Sequence, residues 1–125
     1  MSDYACLDAH SLERERKKVQ ELIQLENIEK QAHFFKILGD VNRVKIMHVL
    51  MHYDRLSVND IAQLIDATIA TTSHHLITLK NGGLITSDKD GKYVLYFLEN
   101  QLICNLIGLA KQLKAKCPIC GQIHE

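Results

Sequence analysis

Helical spacing of apolar residues dominates this chain and gives way to strand-like runs only once. Over residues 12–28, Leu12, Val19, Leu22 and Ile23 fall near one face, which predicts an amphipathic helix. The run Glu13-Arg14-Glu15-Arg16-Lys17-Lys18 mixes both signs of charge and reads as its solvated face. A second helical run covers 29–38 and stops at Gly39. Asp40 then supplies an N-cap for a helix reaching Met51, with Val41, Val44, Ile46, Val49 and Leu50 as its apolar positions. A turn is expected around Tyr53-Asp54-Arg55.

Two short helices follow. Ser57-Val58-Asn59-Asp60 has the form of a capping box with Asp in its last place, and Ile61, Leu64 and Ile65 give that helix a buried face. Asp66-Ala67 is the turn, where Asp tolerates a left-handed backbone. Thr68 caps a helix from Ile69 to Lys80, which Asn81-Gly82-Gly83 stops. Residues 84–88 and 92–98 are strand-like, and Asp90-Gly91 between them is a hairpin signal, because both turn residues must tolerate positive φ. Tyr93 to Leu98 is entirely apolar or aromatic, which predicts substantial burial. A last helix, Gln101 to Lys116, carries Leu102, Ile103, Leu106, Ile107, Leu109, Ala110 and Leu113. That stripe is wide for a terminal helix and points to burial against another subunit.

Composition bounds this picture without changing it. A chain of 125 residues suits one small domain, and 46% hydrophobic residues can fill its core. One Pro and six Gly argue against long disordered linkers. No apolar run approaches the ~20 residues needed to span a bilayer. Met1 to Lys18 lacks the apolar core of a signal peptide, so a cytoplasmic location is expected. Fifteen basic residues balance fifteen acidic ones, so composition offers no argument for nucleic-acid binding, which must come from a motif.

Two short helices joined by a tight turn and followed by a β-hairpin form the winged helix-turn-helix pattern, mainly α with a β-hairpin wing. On a helical period, Ile69, Thr72, Ser73, Leu76 and Leu79 cluster inward, while Ala70, Thr71, His74 and Thr78 point outward. The N-terminal exposed residues of a recognition helix meet base edges, where Thr71 and His74 can donate or accept hydrogen bonds. His75 lies on the flank, placed either to pack or to touch a phosphate. Lys80, and Lys89 and Lys92 on the wing, are candidates for phosphates, which fix register without reading sequence. A helical domain whose polar face is merely solvated shows the same pattern.

Leu38-Gly39-Asp40-Val41-Asn42-Arg43-Val44-Lys45-Ile46 resembles the "L-x-D-x-x-R-x-x-I" helix of the ArsR/SmtB family. Asp60-Ile61-Ala62 followed by Thr68-Ile69-Ala70-Thr71-Thr72-Ser73-His74-His75-Leu76 resembles that family's recognition region, most of all in its cadmium/lead-sensing repressors. Gly91-Lys92 and Tyr96 match the wing. The resemblance spans about residues 30–110, and Asp66 departs from the Gly that relatives often carry. It implies a homodimer formed through N- and C-terminal helices, an inverted-repeat operator and repression relieved by an inducer. The resulting organisation is a flexible arm over 1–11, a winged helix-turn-helix dimer domain over 12–116 and a cysteine-bearing tail over 117–125. The candidate DNA-binding set is Thr71, Thr72, Ser73, His74, His75, Thr78, Lys80, Lys89 and Lys92. Neither catalysis nor a membrane partner is expected.

The inducer reading rests on four cysteines, Cys6, Cys104, Cys117 and Cys120, which a reducing cytoplasm leaves as metal ligands, redox groups or packing. One family site uses a Cys-Val-Cys-Asp run, where this chain has Ser57-Val58-Asn59-Asp60, and Ser and Asn are poor ligands for a soft ion. A second uses an Asp-x-His pair and two later ligands on the last helix. The matching Asn100, Leu102, Leu113 and Lys116 offer none. What remains is Cys117-Pro118-Ile119-Cys120-Gly121, the C-P-x-C-G form of a zinc knuckle and half of a tetrahedral site. Thirteen residues of continuous helix would separate Cys104 from Cys117 by roughly 20 Å, so the two cannot share an ion within one straight helix but could approach if the last helices pair antiparallel across a dimer axis.

The expected site is therefore Cys117 and Cys120 with Cys104, Cys6 or both, holding Zn, Cd or Pb as inducer. His10 and His124 are further possible partners. Cys104 as plain packing, Cys6 as an idle arm residue, and a tail that binds only structural zinc remain open. So does a sensor of redox state, persulfide or trivalent arsenic. His48 and His52 lie four apart on a helix but lack an evident third ligand, and His33 reads as packing or surface. Thiol oxidoreductase chemistry is disfavoured, because the Cys117/Cys120 pair follows a helix C-terminus, where the dipole opposes a thiolate.

Overall fold

A computed structural model describes residues 7–113, and its contacts divide the chain into two compact units, residues 1–35 and 36–125. Cys6, Cys117 and Cys120 therefore lie outside the described residues.

In the first unit, helix α1 spans Ala9–Leu25 and starts earlier than the apolar spacing predicts. The reason is Asp8, whose carboxylate accepts the Ser11 N–H at 2.7 Å. That N–H, followed by the Ser11 hydroxyl, holds the Asp8 carboxyl below its usual range. No residue of α1 is buried, and Leu12, Val19, Leu22 and Ile23 are all about half exposed (45–55%). The expected mixed-charge face is present as Glu13–Arg16 and Glu15–Lys18 pairs at 3.3 and 3.5 Å. The helix ends because Asn27 adopts φ +59°, a left-handed stop that Asn tolerates. Helix α2, Ile28–Leu38, follows and passes into the second unit at Lys36, with Phe34 and Phe35 in edge-to-face contact.

The second unit contains helices α3 (Val41–His52), α4 (Val58–Leu64), α5 (Ile69–Asn81) and α6 (Gln101–Ala110), and strands β1 (Leu56–Ser57), β2 (Thr86–Asp90) and β3 (Tyr93–Phe97). Asp40 caps α3 by accepting the N–H groups of Asn42 at 2.9 Å and Arg43 at 3.2 Å. The Arg43 Nε in turn donates to the Ile37 carbonyl at the end of α2. The Leu38/Asp40/Arg43 motif thus satisfies both the donors opening one helix and an acceptor closing the one before it.

Ser57 caps α4, and the helix closes on Asp66 at φ +58°, with Ala67 N–H bonded to Ala62 O at 2.9 Å. This is the left-handed turn expected of Asp66. Thr68 caps α5, which stops at a matching motif: Gly83 has φ +79° and Leu84 N–H bonds Leu79 O at 3.0 Å. A Cβ at Gly82 would lie 2.5 Å from Ile37 Cδ1, so a larger residue there needs the end of that side chain to shift.

Ile46, Met47, Leu50, Ile61, Ala62, Ile65, Leu76, Leu79, Leu84, Ile85, Ile103 and Ile107 form the core between these helices. Leu64 was expected inside but is half exposed, and Ala62 takes its place. The sheet has order β1-β3-β2, all antiparallel. β1 was not anticipated. Leu56 pairs with Tyr96 and Ser57 with Leu95, which anchors the hairpin to the start of α4.

The hairpin turn is displaced by one residue from its expected place. Asp90 pairs with Tyr93, leaving Gly91-Lys92 as the two-residue loop. Only Gly91 has positive φ (+62°), the pattern of a type II′ rather than a type I′ turn. Tyr93 and Val94 are exposed and Leu95 to Leu98 half-buried, contrary to the burial expected of this apolar run. On α6, Ile103 and Ile107 face the core, whereas Leu102, Leu109 and the following Leu113 are 61–73% exposed.

Candidate nucleic-acid interface

Helix α5 is fixed at its start by its own side chains. Thr68 Oγ1 accepts the Thr71 N–H at 3.1 Å and donates to Thr71 Oγ1 at 2.9 Å. A first turn held this way presents the following side chains at fixed angles. Ala70, Thr71 and His74 are exposed and Ser73 and Thr78 half-buried, so these candidates lie on or beside the outward face. The Thr78 hydroxyl donates to the His74 carbonyl at 3.2 Å.

Two members of the candidate set face the other way. Thr72 is completely buried and His75 is 9% exposed, so both side chains belong to the core side of α5. Thr72 Oγ1 and His75 Nδ1 have no hydrogen-bond partner among the described residues. His75 Nε2 lies 3.8 Å from Asp40 Oδ1 and forms an ion pair with it only when the ring is protonated. Burial pushes the Asp40 carboxyl up. The Arg43 N–H, His75, the Arg43 charge and the Asn42 N–H together outweigh it and hold the carboxyl below its usual range. Ile69 departs from expectation in the opposite direction. Assigned to the inward cluster, it is 53% exposed, as is Ile77. A periodic wheel misses this because nothing precedes Ile69 on the helix to cover it.

Lys80, Lys89 and Lys92 are all exposed. Lys92 is in the hairpin turn, and Lys89 lies on the opposite face of β2 from Asp88 and Asp90. Sequence reasoning left Arg55 in a featureless turn. Its guanidinium lies 4.2 Å from the Phe97 ring centroid and 3.3 Å from Asp88, tying the base of β1 to both hairpin strands. Only its cationic character, next to a strand it joins, could have flagged it.

The inducer candidates divide differently. Cys104 is half-buried on α6 and makes no disulfide among the described residues. Among the described residues, no three His, Cys, Asp or Glu side chains come together to hold a metal ion. At Ser57–Asp60 the Ser57 oxygen is occupied in accepting the Asp60 N–H at 3.2 Å. These residues line a groove of about 750 Å³ with Asp90, Lys92 and Tyr93 and offer no sulfur. His48 and His52 stand one turn apart, His52 Nδ1 lying 2.9 Å from His48 O. Burial, then Lys111 and His52, push the His48 ring below its usual value. No described helix is long and apolar enough to cross a membrane.

Two short helices joined by a left-handed turn, with the second exposed at its N-terminal face and flanked by a hairpin, define a winged helix-turn-helix DNA-binding domain. The family model of bacterial regulatory proteins of the arsR family matches residues 40–87. The chain is 57% identical over 81 residues to the cadmium resistance transcriptional regulatory protein CadC of Listeria innocua, covering 65% of this chain and 68% of that protein. It is 30% identical over 95 residues to a transcriptional repressor SmtB homolog of Synechocystis, covering 76% and 71%.

Among solved structures, the homodimeric winged helix-turn-helix domain of a possible ArsR-family regulator from Mycobacterium bovis matches with TM-score 0.65 and 24% identity over 71% of this chain and 82% of that one. NolR of Sinorhizobium fredii matches with TM-score 0.65 and 16% identity, covering 87% and 95%. The chain belongs to the ArsR family. It is a transcriptional regulator and not an enzyme.

Proposed function

We propose that this chain is a cytoplasmic, homodimeric repressor that binds an inverted-repeat operator and releases it when a thiophilic divalent ion binds. The observation that carries the DNA half is the exposed first turn of α5, Ala70, Thr71 and His74, capped by Thr68 beside a wing carrying Lys89 and Lys92. Dimerisation draws support from two unpartnered apolar stripes among the described residues: Leu12, Val19, Leu22 and Ile23 on α1, and Leu102, Leu109 and Leu113 on and after α6.

The metal half draws support from relatives named as cadmium resistance regulators and from the C-P-x-C-G form of the tail. The ligands proposed are Cys117 and Cys120 with Cys104, Cys6 or both. Thiolates in that number favour Zn, Cd or Pb over hard ions.

The test is fluorescence anisotropy on DNA from upstream of the protein's own gene. Reduced wild type and the Cys117→Ser/Cys120→Ser variant are compared while Zn, Cd or Pb is titrated, with bound metal counted per protomer. Release from wild type alone supports the sensor. Metal bound with operator affinity unchanged would make the site structural.

A further inference from the structure

The first ten residues of α5, Ile69 to Thr78, lack the side chains that usually read purines, which appear only at Lys80 and Asn81 at its far end. Between Ile69 and Thr78 there is no Arg or Lys for guanine and no Asn or Gln for adenine. Two of its hydroxyls are already engaged: Thr71 Oγ1 accepts from Thr68, and Thr78 Oγ1 donates to the His74 carbonyl. What the helix presents instead is hydrocarbon. Ile69 and Ile77 are each 53% exposed, and Ala70 is exposed between them. Ala70, His74 and Ile77 follow one another at helical spacing, so they share one line along the helix. A single exposed isoleucine is ordinary. Ile77 and Ala70 on the face that a recognition helix turns to the bases, with Ile69 exposed at the leading edge of that helix rather than on the same line, form a surface matched to an apolar partner.

In the major groove, the apolar feature that marks one base is the C5-methyl group of thymine. We infer that α5 reads thymine methyl groups, through Ile69 and Ala70 in its first turn and Ile77 two turns further along. His74 and the half-buried Ser73 supply the hydrogen bonds between these contacts. The inference rests on the proposed DNA binding by α5 and adds what that binding selects: half-sites with thymine opposite the start of the helix.

The experiment uses the full-length protein and a duplex that it enriches from a random-sequence pool. Each thymine is replaced in turn by deoxyuridine, which removes one methyl group and leaves pairing and charge unchanged. Affinity is expected to fall about fourfold for each contacted methyl, with the salt dependence unaltered. Ile69→Ala, at an exposed position, should weaken binding to the thymine duplex and leave binding to the matching uridine duplex unchanged. If every uridine duplex binds as tightly as its parent, or Ile69→Ala loses equally on both, methyl readout is wrong while DNA binding stands. If the pool enriches no duplex, the DNA-binding reading fails and this one with it.

Discussion

Asp40 joins three groups that a sequence window cannot see together. It accepts two backbone N–H groups at the start of α3, lies beside Arg43, and faces the buried His75 of α5. Asp40→Ala should cost about 1 kcal/mol through the lost cap, with Asp40→Asn recovering most of it, as read by urea unfolding. The carboxyl is lowered from 3.8 in the folded chain, so its ionised form stabilises the fold. That contribution is complete above the unfolded value and is lost as pH falls through the folded one, and it should vanish in Asp40→Asn.

His48 has the same sign by a different route. Its ring is lowered from 6.5 by burial, so folding disfavours the proton that the unfolded chain accepts. Stability should therefore fall as pH drops below that value, and His48→Asn should flatten the unfolding midpoint over this window. Thr72 carries a buried hydroxyl without a partner among the described residues. Thr72→Val removes its desolvation cost and should raise stability by about 1 kcal/mol; a loss of that size would mean that the hydroxyl is satisfied.

Helix starts were legible where a capping side chain stands directly before an apolar run, whereas the Asp8 cap of α1 precedes a polar stretch and was missed. Asp40, Ser57 and Thr68 mark three helix starts because a short acceptor precedes an apolar run, and Gly82-Gly83 marks the end of α5 because its closing motif needs a left-handed residue. β1 was not legible, since two residues carry no period and it exists only through pairing with β3. The wing turn was placed one residue early because Asp90-Gly91 and Gly91-Lys92 are both acceptable turns. Pairing of Asp90 with Tyr93 selects the second.

At the wing, Arg55 adds a long-range tie to Asp88 and Phe97. Arg55→Ala should destabilise by about 1 kcal/mol, combining an exposed ion pair with a cation–π contact. A double-mutant cycle with Asp88→Ala would show coupling well below that total, the remainder belonging to Phe97.

For the whole molecule, neutrality makes the DNA contact local: binding depends on where a few lysines lie rather than on net charge. Lys80→Ala, Lys89→Ala and Lys92→Ala should each lower the salt slope of operator binding by about two in a homodimer, one phosphate per protomer, without altering sequence preference. The recognition helix was legible because its cap and period are local, whereas the inward turn of His75 and the exposure of Ile69 depend on what packs against α5. The proposed inducer site rests on thiols alone: Cys6 and Cys104 are far in sequence from the Cys117/Cys120 pair, and Cys6, Cys117 and Cys120 lie outside the described residues.

The central claim is that a soft metal ion at those thiols controls the α5 surface. The most direct test is anisotropy of reduced protein on its upstream DNA during a cadmium titration. Wild type should lose about tenfold or more in affinity as cadmium binds, while Cys117→Ser/Cys120→Ser binds DNA equally well and keeps it. Operator affinity unchanged by cadmium, zinc and lead in the wild-type protein would contradict the account.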